Sequence, residues 1–147
     1  MTAYRKPFSP SLYGKYDGVA KMTLIEHLLG AGHELVDSTE TYDADVITQK
    51  DNIIYHSEAE VKAAWRGDWP TEWADIRIPE RKKRLLTKHE DCNLKFYVFS
   101  GDLSKCWCID SSLLTDDKLK EAKGRNIYKG EQFYHVSYKD AQLINVA

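Results

Sequence analysis

The spacing of apolar residues near the start of the chain predicts a helix. Five apolar residues recur at steps of three and four: Val19, Met22, Ile25, Leu28 and Leu29. Asp17 is a residue type that caps helices, and Gly30 and Gly32 supply a stop. We therefore predict a helix that begins at Asp17, ends at these glycines and turns its five apolar residues towards the core.

The first 16 residues have neither a helical nor a strand period. They contain Pro7, Pro10 and Gly14 among four aromatic residues, a composition typical of irregular chain. A chain of 147 residues also has too little apolar surface for two separate cores. We therefore predict an N-terminal arm over 1–16 and one folded domain over 17–147.

From Glu34 onwards, short apolar runs alternate with turn residues, which is typical of β-strands. The expected strands are 34–40, 44–49, 53–65, 94–100, 105–110 and 131–138. The turn Lys50-Asp51-Asn52 makes a hairpin of the second and third. Pro79 suits the first turn of a helix over 80–89, and a short charged helix is expected over 115–123. This order predicts an α/β (α+β) fold with a central mixed sheet flanked by helices.

Composition and charge exclude several classes of protein. Lys and Arg number 21 against 23 Asp and Glu, a net charge of −2, which excludes a uniformly basic coat for nucleic acid. No apolar run approaches the roughly 18 residues that span a bilayer, and the first residues lack a signal-peptide core. Three cysteines argue for reduced thiols. We predict a cytoplasmic protein without a membrane partner.

Acidic and basic residues are segregated into adjacent segments. Between 34 and 60 eight acids meet one base, a net charge of −7, whereas between 61 and 90 eight bases outnumber five acids, a net charge of +3. Carboxylates that converge repel one another unless a hard divalent cation lies among them, and Mg²⁺ prefers carboxylate and phosphate oxygens. The segregation therefore indicates phosphate chemistry; ordinary solvated surface faces are the alternative.

The third predicted strand carries charged residues at alternate positions: Glu58, Glu60 and Lys62. Alternate residues of a strand share a face, so these groups are expected to point the same way. Acid-x-Lys triplets elsewhere in the chain lie in predicted helices, where positions i and i+2 diverge. Only Glu60 and Lys62 combine the triplet with a strand, and Asp45 opens the strand that precedes them.

One further acid lies in the first predicted helix. At 100° per residue Glu26 falls between Val19 and Met22, on the stripe expected to face the sheet. A carboxylate costs free energy to bury without a partner. Glu26 therefore either reaches the same cation as the strand acids or keeps its head group in water at the edge of the stripe.

The combination of a strand-opening Asp, a hairpin, Glu-Val-Lys in the next strand, an acid on the preceding helix and a basic following helix resembles the PD-(D/E)XK nuclease superfamily. The resemblance covers about 17–110 and implies the restriction-endonuclease-like fold. It implies that Asp45 and Glu60 bind Mg²⁺ (or Mn²⁺), that Lys62 activates or orients the attacking water, and that Glu26 is an optional ligand. Asp43 is the alternative to Asp45 as a metal ligand. The family's Pro is replaced by Ala44.

The resemblance implies a Mg²⁺-dependent nuclease that hydrolyses DNA phosphodiester bonds, with RNA as an open alternative and a homodimer as the analogous assembly. Basic residues would then hold the flanking phosphates: Arg77, Arg81, Lys82, Lys83 and Arg84. Phage and bacterial members have a similar layout, which suggests a phage-encoded protein in the host cytoplasm. The rival hypothesis is the same fold with a silent site, acting as a structural or protein-binding module in phage assembly or as an inhibitor of host defence.

The cysteines and tryptophans are predicted to form neither a zinc site nor a platform for bases. The spacing of Cys92, Cys106 and Cys108 differs from that of common zinc sites, which favours buried thiols. Three tryptophans recur every four residues, but a glycine and a proline interrupt the helix that this spacing would predict. Trp65, Trp69 and Trp73 are therefore expected in a loop that covers the core or contacts a protein, rather than in a platform for bases.

Overall fold

Two helices and nine strands make up the regular structure in the described part of the chain. The computed structural model describes residues 10–37, 46–88, 93–121 and 131–146, with the backbone alone for 10–17, 37 and 88. The helices are α1 (Pro10–Gly30) and α2 (Lys83–Lys88). The strands are β1 (Glu34–Asp37), β2 (Val46–Lys50), β3 (Ile53–Lys62), β4 (Asp75–Pro79), β5 (Asn93–Ser100), β6 (Lys105–Asp110), β7 (Leu119–Glu121), β8 (Gln132–Ser137) and β9 (Gln142–Asn145).

The strands form two sheets. Six of them lie in the order β1-β2-β3-β5-β6-β9, and β4, β8 and β7 form a second, three-stranded sheet. Strands β3 and β5 are parallel, whereas the other pairs of the six-stranded sheet are antiparallel. The prediction of a central mixed sheet is therefore confirmed. The second sheet was not predicted, because β4 and β7 lie outside the expected strands, as does β9 at the edge of the six-stranded sheet.

Helix α1 begins at Pro10, so the predicted start at Asp17 is wrong. Proline is favoured in the first turn of a helix because that turn leaves its backbone N–H groups without intrahelical partners. Residues 10–16, predicted as irregular arm, are therefore helical, and residues 1–9 lie outside the described ranges. That 17–147 forms one domain stays a prediction.

The apolar stripe of α1 also differs from the predicted one. The residues that α1 buries are Ala20, Leu24, Ile25 and Leu28, whereas Val19, Met22 and Leu29 are half-exposed. The buried positions 20, 24 and 28 follow steps of four, and the small side chain of Ala20 lets the helix approach the sheet closely. The prediction is therefore confirmed for Ile25 and Leu28 and wrong for the other three residues.

The predicted hairpin between β2 and β3 is confirmed. Lys50 pairs with Ile53, so the loop consists of two residues, Asp51 and Asn52. Their φ angles are 52° and 66°, in the left-handed region that Asp and Asn tolerate better than most residues and that tight hairpins require. The hairpin fixes the register of β3 against β2.

The six-stranded sheet has a core on each face. On one face α1 packs against residues that include Val46, Ala59 and Phe99. On the other face the three-stranded sheet and α2 enclose a larger cluster that includes Phe96 and Val98. Because partners in a parallel pair share a face and successive residues alternate, the two cores lie on opposite sides of β3 and β5.

The helix predicted over 80–89 is confirmed for residues 83–88, and the one over 115–123 is wrong. A 3-10 turn over Glu80–Lys82 follows Pro79 and continues into α2. In the other segment only Asp116–Lys118 forms a 3-10 turn, and β7 then pairs with β8. Sheet pairing has overridden the local charge pattern there. No helix in the described ranges is long and apolar enough to cross a membrane.

Candidate active site

Two carboxylates of β3 lie on the face that is covered by the second sheet. Glu58 pairs with Phe96 and Glu60 with Val98, and both partners belong to the core on that side. The side chain of Glu58 is only 3% exposed and that of Glu60 is 23% exposed. Buried carboxylates require a compensating positive charge or hydrogen bonds. The chemistry of this site therefore depends on which group contacts the two carboxylates.

Lys82 supplies the positive charge between the two carboxylates. Its Nζ lies 2.6 Å from Oε1 of Glu58 and 3.3 Å from Oε1 of Glu60. Lys82 ends the 3-10 turn after β4, and β4 is held in place by its pairing with β8. The shared partner shows that Glu58 and Glu60 point the same way, as the strand periodicity predicted.

The charge state of Lys82 follows from two opposing effects on its pKa. Burial alone would lower the pKa, but the charges of Glu60 and Glu58 and the hydrogen bond to Glu58 raise it by more, so the pKa lies above its usual value. Lys82 is therefore an ammonium ion. The carboxyl groups of Glu58 and Glu60 share this ammonium.

Lys62 ends β3, and its amine is placed over an aromatic ring. Its Nζ lies 5.0 Å from the centroid of the Trp73 ring, within the range of a cation–π interaction. Trp69 packs edge-on against Trp73 at 5.2 Å and against Trp65 at 5.1 Å. Trp65 is fully buried and the other two pack on the same core, so the prediction that this tryptophan loop covers the core is confirmed.

The remaining predicted metal ligands are Asp45 and Asp43, which lie outside the described residues. Asp45 directly precedes Val46, the first residue of β2. Val46 is buried on the α1 side and pairs with Ser57, the residue before Glu58. In the described ranges no group of three or more His, Cys, Asp or Glu residues could hold a metal ion.

Glu26 lies apart from the strand carboxylates. It is exposed on α1 and borders a shallow concavity together with Thr23, His27 and Asn145. Helix α1 packs on the face of the sheet opposite to Glu60. The prediction that Glu26 occupies the apolar stripe is wrong because its side chain is exposed to solvent, and the structure does not bring Glu26 to the carboxylate pair.

The predicted phosphate-binding residues divide into two groups. Arg77, Arg81 and Arg84 are exposed on β4, on the 3-10 turn and on α2. Lys83 lies 3.4 Å from Asp116 and is half-exposed, whereas Lys82 is held by the carboxylate pair. Sequence reasoning missed β4, although the alternating apolar residues Ile76 and Ile78 were a usable signal for the strand that positions Lys82.

The described cysteines are protonated thiols on the opposite side of the sheet. Cys106 is fully buried in the core beside α1, and Cys108 packs against that core. Burial, followed by the nearby Cys108, raises the pKa of Cys106 to about 12, and burial also raises the pKa of Cys108. The packing of Cys106 agrees with the expected role as a small apolar side chain, and Cys92 lies outside the described residues.

Comparison with known proteins gives a match at the level of the fold. No protein-family model matches the chain, and no curated protein is similar to it in sequence. Among solved structures, the chain is similar to Hjc, a Holliday junction resolvase from the archaeal hyperthermophile Archaeoglobus fulgidus. The TM-score is 0.57 at 9% identity, and the match covers 86% of this chain and 90% of that one. The chain has the restriction-endonuclease-like fold.

The match to Hjc shows the fold alone, and the resemblance to the PD-(D/E)XK superfamily, which rests on Asp45, Glu60 and Lys62, stays a prediction. At 9% identity the similarity lies in the arrangement of helices and strands rather than in matched side chains. The chemistry of the site therefore has to be argued from this chain's own residues.

Proposed function

We propose that the protein is a nuclease that hydrolyses DNA phosphodiester bonds with the help of a divalent metal ion, Mg²⁺ or Mn²⁺. The observation that carries this proposal is the convergence of the Glu58 and Glu60 carboxylates on one cation, the Lys82 ammonium, in a restriction-endonuclease-like fold. Carboxylate oxygens aimed at one cation are the donor type that Mg²⁺ and Mn²⁺ prefer.

The proposed metal ligands are Glu60 and Asp45, with Asp43 as the alternative to Asp45. Support for Asp45 comes from its position in the chain: it directly precedes Val46, which pairs with Ser57, the residue before Glu58. A bound divalent cation would lower the pKa of a coordinated water and offset the negative charge that builds up on the phosphate. Glu26, on the other side of the sheet, is not included in the proposed site.

Lys62 is the proposed amine for the attacking water or the phosphate. Its triplet with Glu60 matches the superfamily motif, and its position at the end of β3 is fixed by the parallel pairing with Ser100. The Trp73 ring restricts the orientations of the side chain. An amine that is already oriented loses less freedom when the substrate binds.

DNA is the proposed substrate, held by the exposed arginines Arg77, Arg81 and Arg84. Guanidinium groups bind phosphates in a bidentate manner, and such contacts are independent of base sequence. Because the structurally similar Hjc is a Holliday junction resolvase, a four-way DNA junction is the first substrate to test. Cutting two opposed strands would require two active sites, so we include a homodimer in the proposal.

The test is cleavage of a labelled four-way junction, a linear duplex and single-stranded DNA in Mg²⁺, Mn²⁺ or EDTA. We expect metal-dependent cleavage by the wild type and a loss of at least about 100-fold, as is usual for removal of catalytic groups, in Glu60→Gln, Lys62→Ala and Asp45→Asn. Glu121→Gln and Lys120→Ala, exposed on β7, are matched controls that should cleave normally. Equal cleavage in every variant would assign the activity to a contaminant.

The silent-site hypothesis has one observation in its favour: the Lys82 ammonium already neutralises part of the carboxylate charge, as in a purely structural ion pair. A wild-type protein that binds Mn²⁺ but cleaves none of the three DNAs would favour a structural or protein-binding module. A protein that neither binds metal nor cleaves DNA would favour it more strongly. Cleavage of RNA with the same sequences, but not of the DNA, would instead indicate a nuclease that is specific for RNA.

A further inference from the structure

We infer that the Lys82 ammonium occupies the position beside Glu58 and Glu60 that a divalent metal ion takes. Metal binding then displaces Lys82 from this position. This inference rests on the proposed function for the identity of the incoming cation. It adds Glu58 to the residues that face the metal, and it assigns Lys82 to the control of metal binding rather than to contact with DNA.

The burial of Glu58 favours a cation at this place. With 3% of its side chain exposed, the carboxyl group of Glu58 is poorly reached by water. The Lys82 ammonium lies within hydrogen-bonding distance of Glu58 and also contacts Glu60. When no metal is bound, Lys82 therefore offsets the mutual repulsion of the two carboxylates, which is the same task that a divalent cation would perform.

The Lys82 side chain is also placed so that it can move away from the two carboxylates into water. Lys82 ends a short 3-10 turn at the surface, its side chain is 15% exposed, and its neighbour Lys83 is half-exposed. Lysine has a flexible four-carbon stem and a strongly hydrated ammonium group, so rotation about the stem would carry the charge into water. Metal binding and the ion pair to Lys82 then compete for the same carboxylate oxygens.

The first experiment measures Mn²⁺ binding by calorimetry, without DNA, in the wild type, Lys82→Met and Lys95→Met. Lys95 pairs with Asp110 at 3.3 Å across the neighbouring strands and is the matched control. Because removal of a competing charge strengthens binding, we expect Lys82→Met to bind Mn²⁺ about tenfold or more tightly than the wild type. Lys95→Met should be unchanged. Equal affinity in all three proteins would overturn the inference.

The second experiment uses the unaltered protein and remains decisive if Lys82→Met does not fold. Acetylation of lysine amines with an excess of reagent is quantified by mass spectrometry in EDTA and in saturating Mn²⁺. Lys82 should be protected in EDTA and react several-fold faster in Mn²⁺. Lys83, its neighbour in the chain, should react at the same rate in both. A Lys82 rate that does not respond to the metal would contradict the displacement.

The outcomes separate this inference from the proposed nuclease activity. Tighter Mn²⁺ binding by Lys82→Met without DNA cleavage by any protein would refute the activity and retain the displacement. Metal-dependent cleavage with unchanged Mn²⁺ affinity and unchanged Lys82 reactivity would retain the activity and refute the displacement. Adding Glu58→Gln to Lys82→Met should weaken Mn²⁺ binding again, which tests whether Glu58 faces the metal.

Discussion

The ammonium of Lys62 lies over the ring of Trp73, 5.0 Å from its centroid. Lys62 is the last residue of β3, and Trp73 lies in the loop that leads to β4. The negative face of an indole ring attracts a cation by about 0.5–1 kcal/mol at exposed sites. The tryptophan loop, which forms part of the core, thus also orients the amine that we propose for catalysis.

Replacing Trp73 should slow DNA cleavage by releasing Lys62. We expect Trp73→Leu to reduce the single-turnover rate at saturating Mn²⁺ several-fold, whereas Trp73→Phe, which keeps an aromatic face, should retain most of the rate. The hydrogen bond from the Trp69 indole goes to the backbone oxygen of Trp73 and is available in both variants. Rates that fall equally in both variants would assign Trp73 to packing alone.

The ion pair of Glu58 and Lys82 should show strong coupling in a double-mutant cycle. Lys82→Met in EDTA removes the ammonium that contacts a buried carboxylate and should lower the free energy of unfolding by about 3 kcal/mol, the low end for buried pairs because Lys82 is partly exposed. Glu58→Gln combined with Lys82→Met should lose less than Lys82→Met alone. Urea unfolding measures all four proteins, and additive losses would refute the coupling.

Sequence periodicity predicted the strand that carries the site but not the partner of its carboxylates. Two apolar runs joined by Asp51 and Asn52 specify the β2–β3 hairpin locally, and alternation along β3 places Glu58 and Glu60 on one face. Lys82 reaches them only through β4 and its pairing with β8. Such long-range pairing depends on the whole fold rather than on neighbours in the chain.

Helix α1 shows a different failure, in which a local pattern was present but its buried face was identified only in part. Ile25 and Leu28 are buried as predicted, whereas Val19 and Met22 were chosen in place of Ala20 and Leu24. The sheet instead packs against Ala20, Leu24 and Leu28, because a small residue allows close approach. Glu26 lies on the solvent side of the helix. Its predicted role as a metal ligand required it to face the sheet.

The exposed arginines should contribute to DNA affinity through phosphate contacts. Arg81→Ala and Arg84→Ala should each weaken binding to duplexes of different sequence by a similar factor and reduce the slope of log affinity against log salt by about one. Lys139→Ala, exposed on the turn after β8, is the control. Fluorescence anisotropy with uncleaved DNA in Ca²⁺ gives the affinities, and an unchanged slope would place the DNA on another surface.

Stability should fall at alkaline pH because of the buried thiol of Cys106. Its folded pKa is about 12 against an unfolded value of 9.0, so above pH 9 the unfolded state releases a proton that the native state keeps. The free energy of unfolding then decreases with pH, by up to about 1.4 kcal/mol per unit for this one group. In urea unfolding between pH 9 and 11, the free energy of unfolding of Cys106→Ala should decrease less steeply with pH than that of the wild type. An equal slope would contradict the raised pKa of Cys106.

Gly101, at the start of the β5–β6 turn, should not tolerate a larger side chain because its backbone lies very close to the end of β3. A Cβ on Gly101 would lie 2.6 Å from the backbone oxygen of Ala63, and its N–H donates to the Trp65 oxygen at 2.7 Å. Gly101→Ala should therefore cost about 1–3 kcal/mol of stability and slow DNA cleavage, because Lys62 directly precedes Ala63. Gly18→Ala, with open space around its Cβ in α1, should instead stabilise the protein by about 0.5–1 kcal/mol. Thermal unfolding compares the two, and a neutral Gly101→Ala would show that the strand ends can separate without strain.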